Sequence, residues 1–297
     1  MTMQNIALAK PAAAQQSRTS PLVVRNLGGI VLVAVIGAIF AFPILWATLA
    51  SFKSTTEIIT KTFPLSWASF VPLQATLENY VYLFTEVNFQ LNLLNTVIAG
   101  AGQVGLAVVV SSLAGYAFAR LRFPGRELVF ALFLLTAFIP VEAIIVPLYQ
   151  IMQQMGLVST FPALFLPFAC NPFGIFMMRQ AFRDVPLEME EAAKIDGCGP
   201  LRVFLIIALP NVKPTLATLV LIQFIWSWNA YLWPLVVMQD PTKQIAQVAI
   251  ANLKSLPNIP MDGPLFAAAT AVTIPLVILS IVLQRYYVRG LVTSGMK

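Results

Sequence analysis

The run NLLNTVIAGAGQVGLAVVVSSLAGYAFA, Asn92–Ala119, decides the fold class. It carries no charge along its whole length, and a helix needs about 20 such residues to cross the hydrocarbon core of a bilayer. Five further stretches read the same way: Leu27–Phe52, Leu128–Met152, Leu157–Met178, Thr215–Val237 and Leu265–Val288. Their apolar residues run continuously instead of alternating, which argues for helices and against a β-barrel. The expected fold is an all-α integral membrane protein with six transmembrane helices. Pro140 and Pro147 predict a broken or kinked third span, and Gln153–Gly156 predicts a tight hairpin between the third and fourth.

Composition agrees. Of 297 residues, 59% are apolar and only 10% charged, and the mean hydropathy is +0.82. A soluble domain carries about 25% charged residues. The chain is therefore neither an ordinary soluble enzyme nor a disordered protein. It has no His and two Cys, Cys170 and Cys198. That leaves no disulfide framework, no zinc-ligand cluster and no imidazole base. Both cysteines, in different surroundings, read as small packing residues.

Basic residues set the orientation. With six spans both termini share one side, which holds Lys10, Arg18 and Arg25; Arg120, Arg122 and Arg126; Arg179, Arg183, Lys194, Arg202 and Lys213; and Arg285, Arg289 and Lys297. The other side holds only Lys53, Lys61, Lys243 and Lys254. Both termini are expected in the cytoplasm, and topology accounts for the net charge of +6 without a nucleic-acid site. Residues 1–26 lack an apolar face and read as a mobile tail. The first span exceeds the 7–15 apolar residues of a cleaved signal peptide, so it reads as a retained anchor.

The largest loop on the basic side, Arg179–Pro214, also holds Asp184, Glu188, Glu190, Glu191 and Asp196. It reads as two short helices around a turn. Asp184 or its neighbour caps the first, Pro186 sits in its first turn, and early acids suit the helix dipole. Gly197 stops it. Pro200 begins the second, Leu201–Leu209, which is expected to end at Pro210.

The order Glu191-Ala192-Ala193, Gly197, Ile207, Leu209-Pro210 resembles the EAA loop of permease subunits of bacterial ABC importers. Val185-Pro186, Leu187-Glu188 and Ile195-Asp196-Gly197 are similar to the carbohydrate-uptake branch, which includes the smaller maltose-permease subunit. So are Trp228-Asn229-Ala230-Tyr231-Leu232-Trp233-Pro234-Leu235 and Gln284-Arg285-Tyr286-Tyr287-Val288-Arg289-Gly290-Leu291. Cys198 and Ala230 depart from the commonest pattern, where Ala and Asp are frequent.

The resemblance implies a permease domain over 27–297, with an EAA coupling loop at about 184–210. It implies ATPase coupling through Glu191, Ala192, Ala193, Asp196, Gly197, Ile207, Leu209 and Pro210. The implied partners are a second six-span permease subunit, two cytoplasmic ATPase subunits, an extracytoplasmic solute-binding protein and a sugar, in the bacterial inner membrane. The chain has no GxxxxGK[ST] phosphate loop, so Mg-ATP is expected on the ATPase subunits, with no cofactor and no catalysis here.

Glu142 is the one acid inside an expected span. A carboxylate at mid-membrane is costly, so it faces a solute path, a structural partner or the interface. Trp228, Asn229 and Tyr231 combine apolar faces with polar tips, as sugar ligands require; the alternative is subunit contact. Asn171 is a weaker candidate. Trp233 reads as part of an interfacial aromatic belt, and Gly100, Gly102 and Gly105 as sites of close helix packing. A stand-alone secondary transporter or channel is the alternative function, but internal repeats and coupling acids are lacking. A membrane-embedded enzyme has still less support.

Overall fold

The computed structural model describes residues 27–61, 64–253 and 262–294. The expected tail 1–26, Lys254 and the side chains of Gln284–Leu291 lie outside the described set. The chain divides into two compact units, residues 1–45 and 46–297.

Helix α1 (Leu27–Ala50) contains Pro43. It is apolar on every side, as suits a lipid-facing helix. From Trp46 the second unit begins. Three short helices, α2 (Thr55–Lys61), α3 (Trp67–Phe70) and α4 (Glu78–Thr85), lead into α5 (Phe89–Arg120). Here the Lys53 ammonium is buried and donates to Ala68 O at 2.6 Å; burial holds its pKa below the ordinary lysine value.

Helix α5 spans 32 residues without a break. Next come α6 (Arg126–Leu135) and α7 (Val141–Gln154), then α8 (Phe161–Phe165) and α9 (Pro172–Asp184). The loop helices follow: α10 (Leu187–Ile195), α11 (Pro200–Val203) and α12 (Leu209–Asn211). Last are α13 (Lys213–Trp228), α14 (Leu232–Val237), α15 (Ala246–Leu253) and α16 (Asp262–Ser294).

Among the described residues, three helices are long and apolar enough to cross a membrane, or six if each bent pair is one span. The third expected span is two helices meeting at 103°, and the fourth bends by 53°. Both breaks fall just before proline. Ile139 precedes Pro140 and Asn171 precedes Pro172, and each adopts extended backbone. A proline ring clashes with an α-helical residue before it, so the helix stops there. Pro147, by contrast, lies inside α7, so of the two prolines only Pro140 marks the break. The fifth expected span is also interrupted, with α13 ending at Trp228 and α14 starting at Leu232.

Glycine sets the close contact between α5 and α9. A Cβ on Gly115 of α5 would stand 2.7 Å from Met178 Cβ of α9, and one on Gly174 of α9 2.6 Å from Ser111 Oγ of α5. Only the missing side chains let the two helices approach so closely. Gly102 plays this part against Phe165, but Gly105 faces open space, which corrects its expected packing role. At the other end of the unit, Trp228 packs with Leu83, Phe89, Ala267 and Val272, joining α4, α5 and α16 to α13.

Candidate functional site: the coupling loop and the helix breaks

Helix α10 has nine residues. Its cap differs from expectation: Pro186 itself is the N-cap, in extended backbone, while Asp184 is the last residue of α9. The C-terminus closes as a Schellman turn. Cys198 N–H donates to Ala193 O and Gly197 N–H to Lys194 O, both at 3.0 Å. Gly197 has φ +81°, a left-handed conformation that a Cβ penalises. Asp196 is the exposed C-cap.

The nine residues divide by face. Glu190 and Ala193 point inward and are buried, while Leu187, Glu188, Met189, Glu191, Ala192, Lys194 and Ile195 are exposed. Ile195 is 87% exposed, and Leu187 and Met189 on the same short helix are exposed with it; several apolar side chains open together mark an interaction surface. Of the expected coupling residues, Glu191 and Ala192 therefore face outward and Ala193 faces the protein.

The second half of the loop departs from the expected helix Leu201–Leu209. After α11 the backbone widens into a π-helical turn, Phe204–Ala208, and continues through α12 to Asn211. Pro210 does not end it. A proline inside a helix lacks an N–H and crowds the preceding turn, and the wider π turn accommodates both. The chain bends by 82° between Asn211 and Lys213 instead. Ile207 and Leu209 are half-buried and Pro210 exposed.

What holds α10 in place was not apparent from the sequence. Glu190 is 1% exposed. Its Oε2 accepts from Tyr116 Oη at 2.9 Å and its Oε1 from Arg120 Nε at 2.7 Å. Arg120 Nη2 also donates to Val185 O. Tyr116 itself packs against Phe182 and Phe204. One turn of α5 thus grips the first residue after α9 and the inner edge of α10. Beside it, buried Arg179 lies 4.0 Å over the Phe130 ring and donates to both carboxylate oxygens of Glu127, at 2.8 and 2.6 Å. Arg120 and Arg179 had counted only as loop charges.

At the opposite end of α5, Asn92 Nδ2 and Asn95 Nδ2 donate to Gln244 O at 2.9 and 3.1 Å, and Thr96 Oγ1 accepts from Ala246 N–H at 2.8 Å. This clips the loop after α14 onto the helix start. Within that loop Thr242 donates to Asp240 through its hydroxyl and its backbone N–H, which holds the Asp240 carboxyl below the usual aspartate pKa.

Between the two ends, a cavity of about 640 Å³ opens where the helix breaks meet. Ile139, Val141 and Leu148 line it from one broken pair, Phe168, Asn171 and Phe173 from the other, with Trp226 from α13. Asn171 Oδ1 accepts from Gly174 N–H at 2.8 Å, capping α9. Glu142 is exposed in the first turn of α7, beside Val141, but does not line this cavity. It makes no hydrogen bond or ion pair among the described residues.

The aromatic candidates separate. Trp228 is 1% exposed and its Nε1 donates to Val272 O at 3.1 Å, so its expected pathway role is corrected to packing. Trp233 is likewise buried, with Nε1 donating to Ala163 O at 2.9 Å, and it belongs to no interfacial belt. Asn229 and Tyr231 are exposed at the interruption after α13, where Asn229 Nδ2 donates to Ile225 O. The structure brings these two together and leaves Glu142 on a different helix. Cys170 is exposed and Cys198 partly so, so Cys170 is not the packing residue expected.

Residues 107–293, from the second half of α5 into α16, match the family described as binding-protein-dependent transport system inner membrane component. The chain belongs to this family. Among its relatives, the arabinooligosaccharides transport system permease protein of Halalkalibacterium halodurans is 37% identical over 265 residues, covering 89% of this chain and 94% of that one. The lactose transport system permease protein of Rhizobium radiobacter is 32% identical, over 85% of this chain and 90% of the other. The sn-glycerol-3-phosphate transport system permease protein of Yersinia pestis is 40% identical over 69% of this chain and 74% of the other. A crystal structure of a bacterial ABC transporter involved in alginate import shares the fold, with a TM-score of 0.78 at 24% identity over 88% of this chain and 95% of that one. The all-α membrane fold and the permease assignment read from the loop thus agree with family and relatives alike.

Proposed function

We propose that this inner-membrane permease carries a carbohydrate or related polyol inward as one subunit of an ATP-driven importer. It pairs with a second permease, takes solute from an extracytoplasmic binding protein, and couples to two ATPase subunits through α10. Both termini lie in the cytoplasm, the ATPases bind the Mg-ATP, and this chain performs no catalysis. The carrying observation is the two-faced α10: an inner edge locked to the protein and an outer face of Leu187, Met189, Glu191, Ala192 and Ile195 left open. Such a face suits a cleft in a partner that moves. The carbohydrate reading is supported by relatives named for arabinooligosaccharides and lactose transport.

Solute reaches the breaks beside Glu142, Asn229 and Tyr231, where the Glu142 carboxylate, the Asn229 Oδ1 and the Tyr231 hydroxyl meet its hydroxyls. The test is uptake of labelled oligosaccharides, disaccharides and glycerol phosphodiesters into vesicles holding the full transporter and its binding protein. ATP-dependent uptake of one class supports the proposal. ATP-independent uptake by this chain alone overturns it in favour of a stand-alone transporter.

A further inference from the structure

Helix α10 packs chiefly against the segment that follows it, α11 and the π-helical turn. Its direct polar link to α5 is made by long side chains: the Glu190 carboxylate, the Arg120 guanidinium and the Tyr116 hydroxyl. All three are largely withdrawn from water, with side-chain exposures of 13% for Arg120 and 1% for Glu190, and Tyr116 8% exposed. Arg120 also holds Val185 O, the carbonyl between α9 and α10. Helix α5 is meanwhile the one long described helix of the second unit that runs from this loop to the opposite loop, where Asn92, Asn95 and Thr96 hold Gln244 and Ala246.

We propose that Tyr116, Arg120 and Glu190 are positioning residues forming a strut that delivers displacement of α10 to α5, and through α5 to the loop clipped at its far end. The proposal rests on the coupling reading above and adds the route. A charge-assisted pair with two further hydrogen bonds is directional, so α10 cannot slide or roll on α5 without breaking it. The link Val185-Pro186 joins α10 to α9 and not to α5, so the polar strut is what ties a shift of α10 directly to α5.

Removing one partner of a buried pair strands a charge, whereas replacing all partners by apolar groups can leave stability intact. The decisive variant is therefore Y116F/R120M/E190L, with Glu190→Gln as the milder companion. Each is assembled with the partner permease, ATPase and binding protein in proteoliposomes, and three quantities are read: ATPase co-purification, ATP hydrolysis, and solute taken up per ATP. The triple variant is expected to keep docking and hydrolysis while solute per ATP falls about fivefold or more, with Glu190→Gln between it and wild type. An unchanged solute-to-ATP ratio in the triple variant overturns the strut, since the residues then only fill space. Lost ATPase co-purification also overturns it, because they then shape the docking face. Failure of the wild-type chain to retain the ATPase is a separate result, which removes the coupling reading itself.

Discussion

Position 197 shows how much of the loop depends on one missing Cβ. Gly197 turns the chain at φ +81°, and a β-branched residue in that conformation costs about 1–2 kcal/mol. The space around it is open, so the penalty is conformational and not steric. Gly197→Val is expected to insert at normal membrane level, weaken ATPase co-purification several-fold and abolish uptake. Wild-type docking and uptake would make the loop an ordinary linker. Ala193→Asp should act alike through bulk and charge, since Ala193 is only 8% exposed. Glu142 offers the contrary case, an acid in a membrane segment with no partner among the described residues. Glu142→Gln is expected to leave membrane level unchanged and to alter uptake rate or solute preference; normal transport of every solute would end its pathway role.

Elements formed where local chemistry was strong and broke where proline dictated. The stop of α10 at Gly197 was legible because a Schellman turn is built from neighbours in sequence. The break at Pro140 was legible for the same reason. The bend of 103° there was not, because its size depends on what the two halves pack against. Nor was the close contact of α5 with α9 legible: Gly115 and Gly174 matter only once the two helices meet, and the sequence drew the eye to Gly100, Gly102 and Gly105 instead. Gly115→Leu should force these helices apart, at about 1–3 kcal/mol for overpacking. The expected result is a lowered melting temperature of the detergent-purified protein, with Gly105→Leu, which meets nothing within 4 Å, as the silent control.

For the whole molecule, composition and the uncharged apolar runs were enough to place the chain in a membrane, and one loop motif was enough to suggest its family. Substrate contacts were harder to read. Trp228 looks like a sugar-stacking residue in its own segment, but Val272, far along the chain, takes its indole N–H. The strut was hidden likewise, because Glu190 and Arg120 are 70 residues apart. With no phosphate loop, the purified chain alone is expected to show no ATP turnover above an empty-vector preparation; turnover that survives removal of contaminants would refute its place as the non-hydrolysing subunit.

The two faces of α10 carry a further consequence, for length and not for chemistry. Glu190 grips the protein while Glu191, the next residue, faces out, and each residue advances an α-helix by about 100°. A single residue inserted between Pro186 and Glu190 would roll the outward set toward the protein and carry the anchoring carboxylate away from Arg120. Natural variation in this loop should therefore be poor in insertions or deletions between Pro186 and Glu190, whatever exchanges of residue type it tolerates.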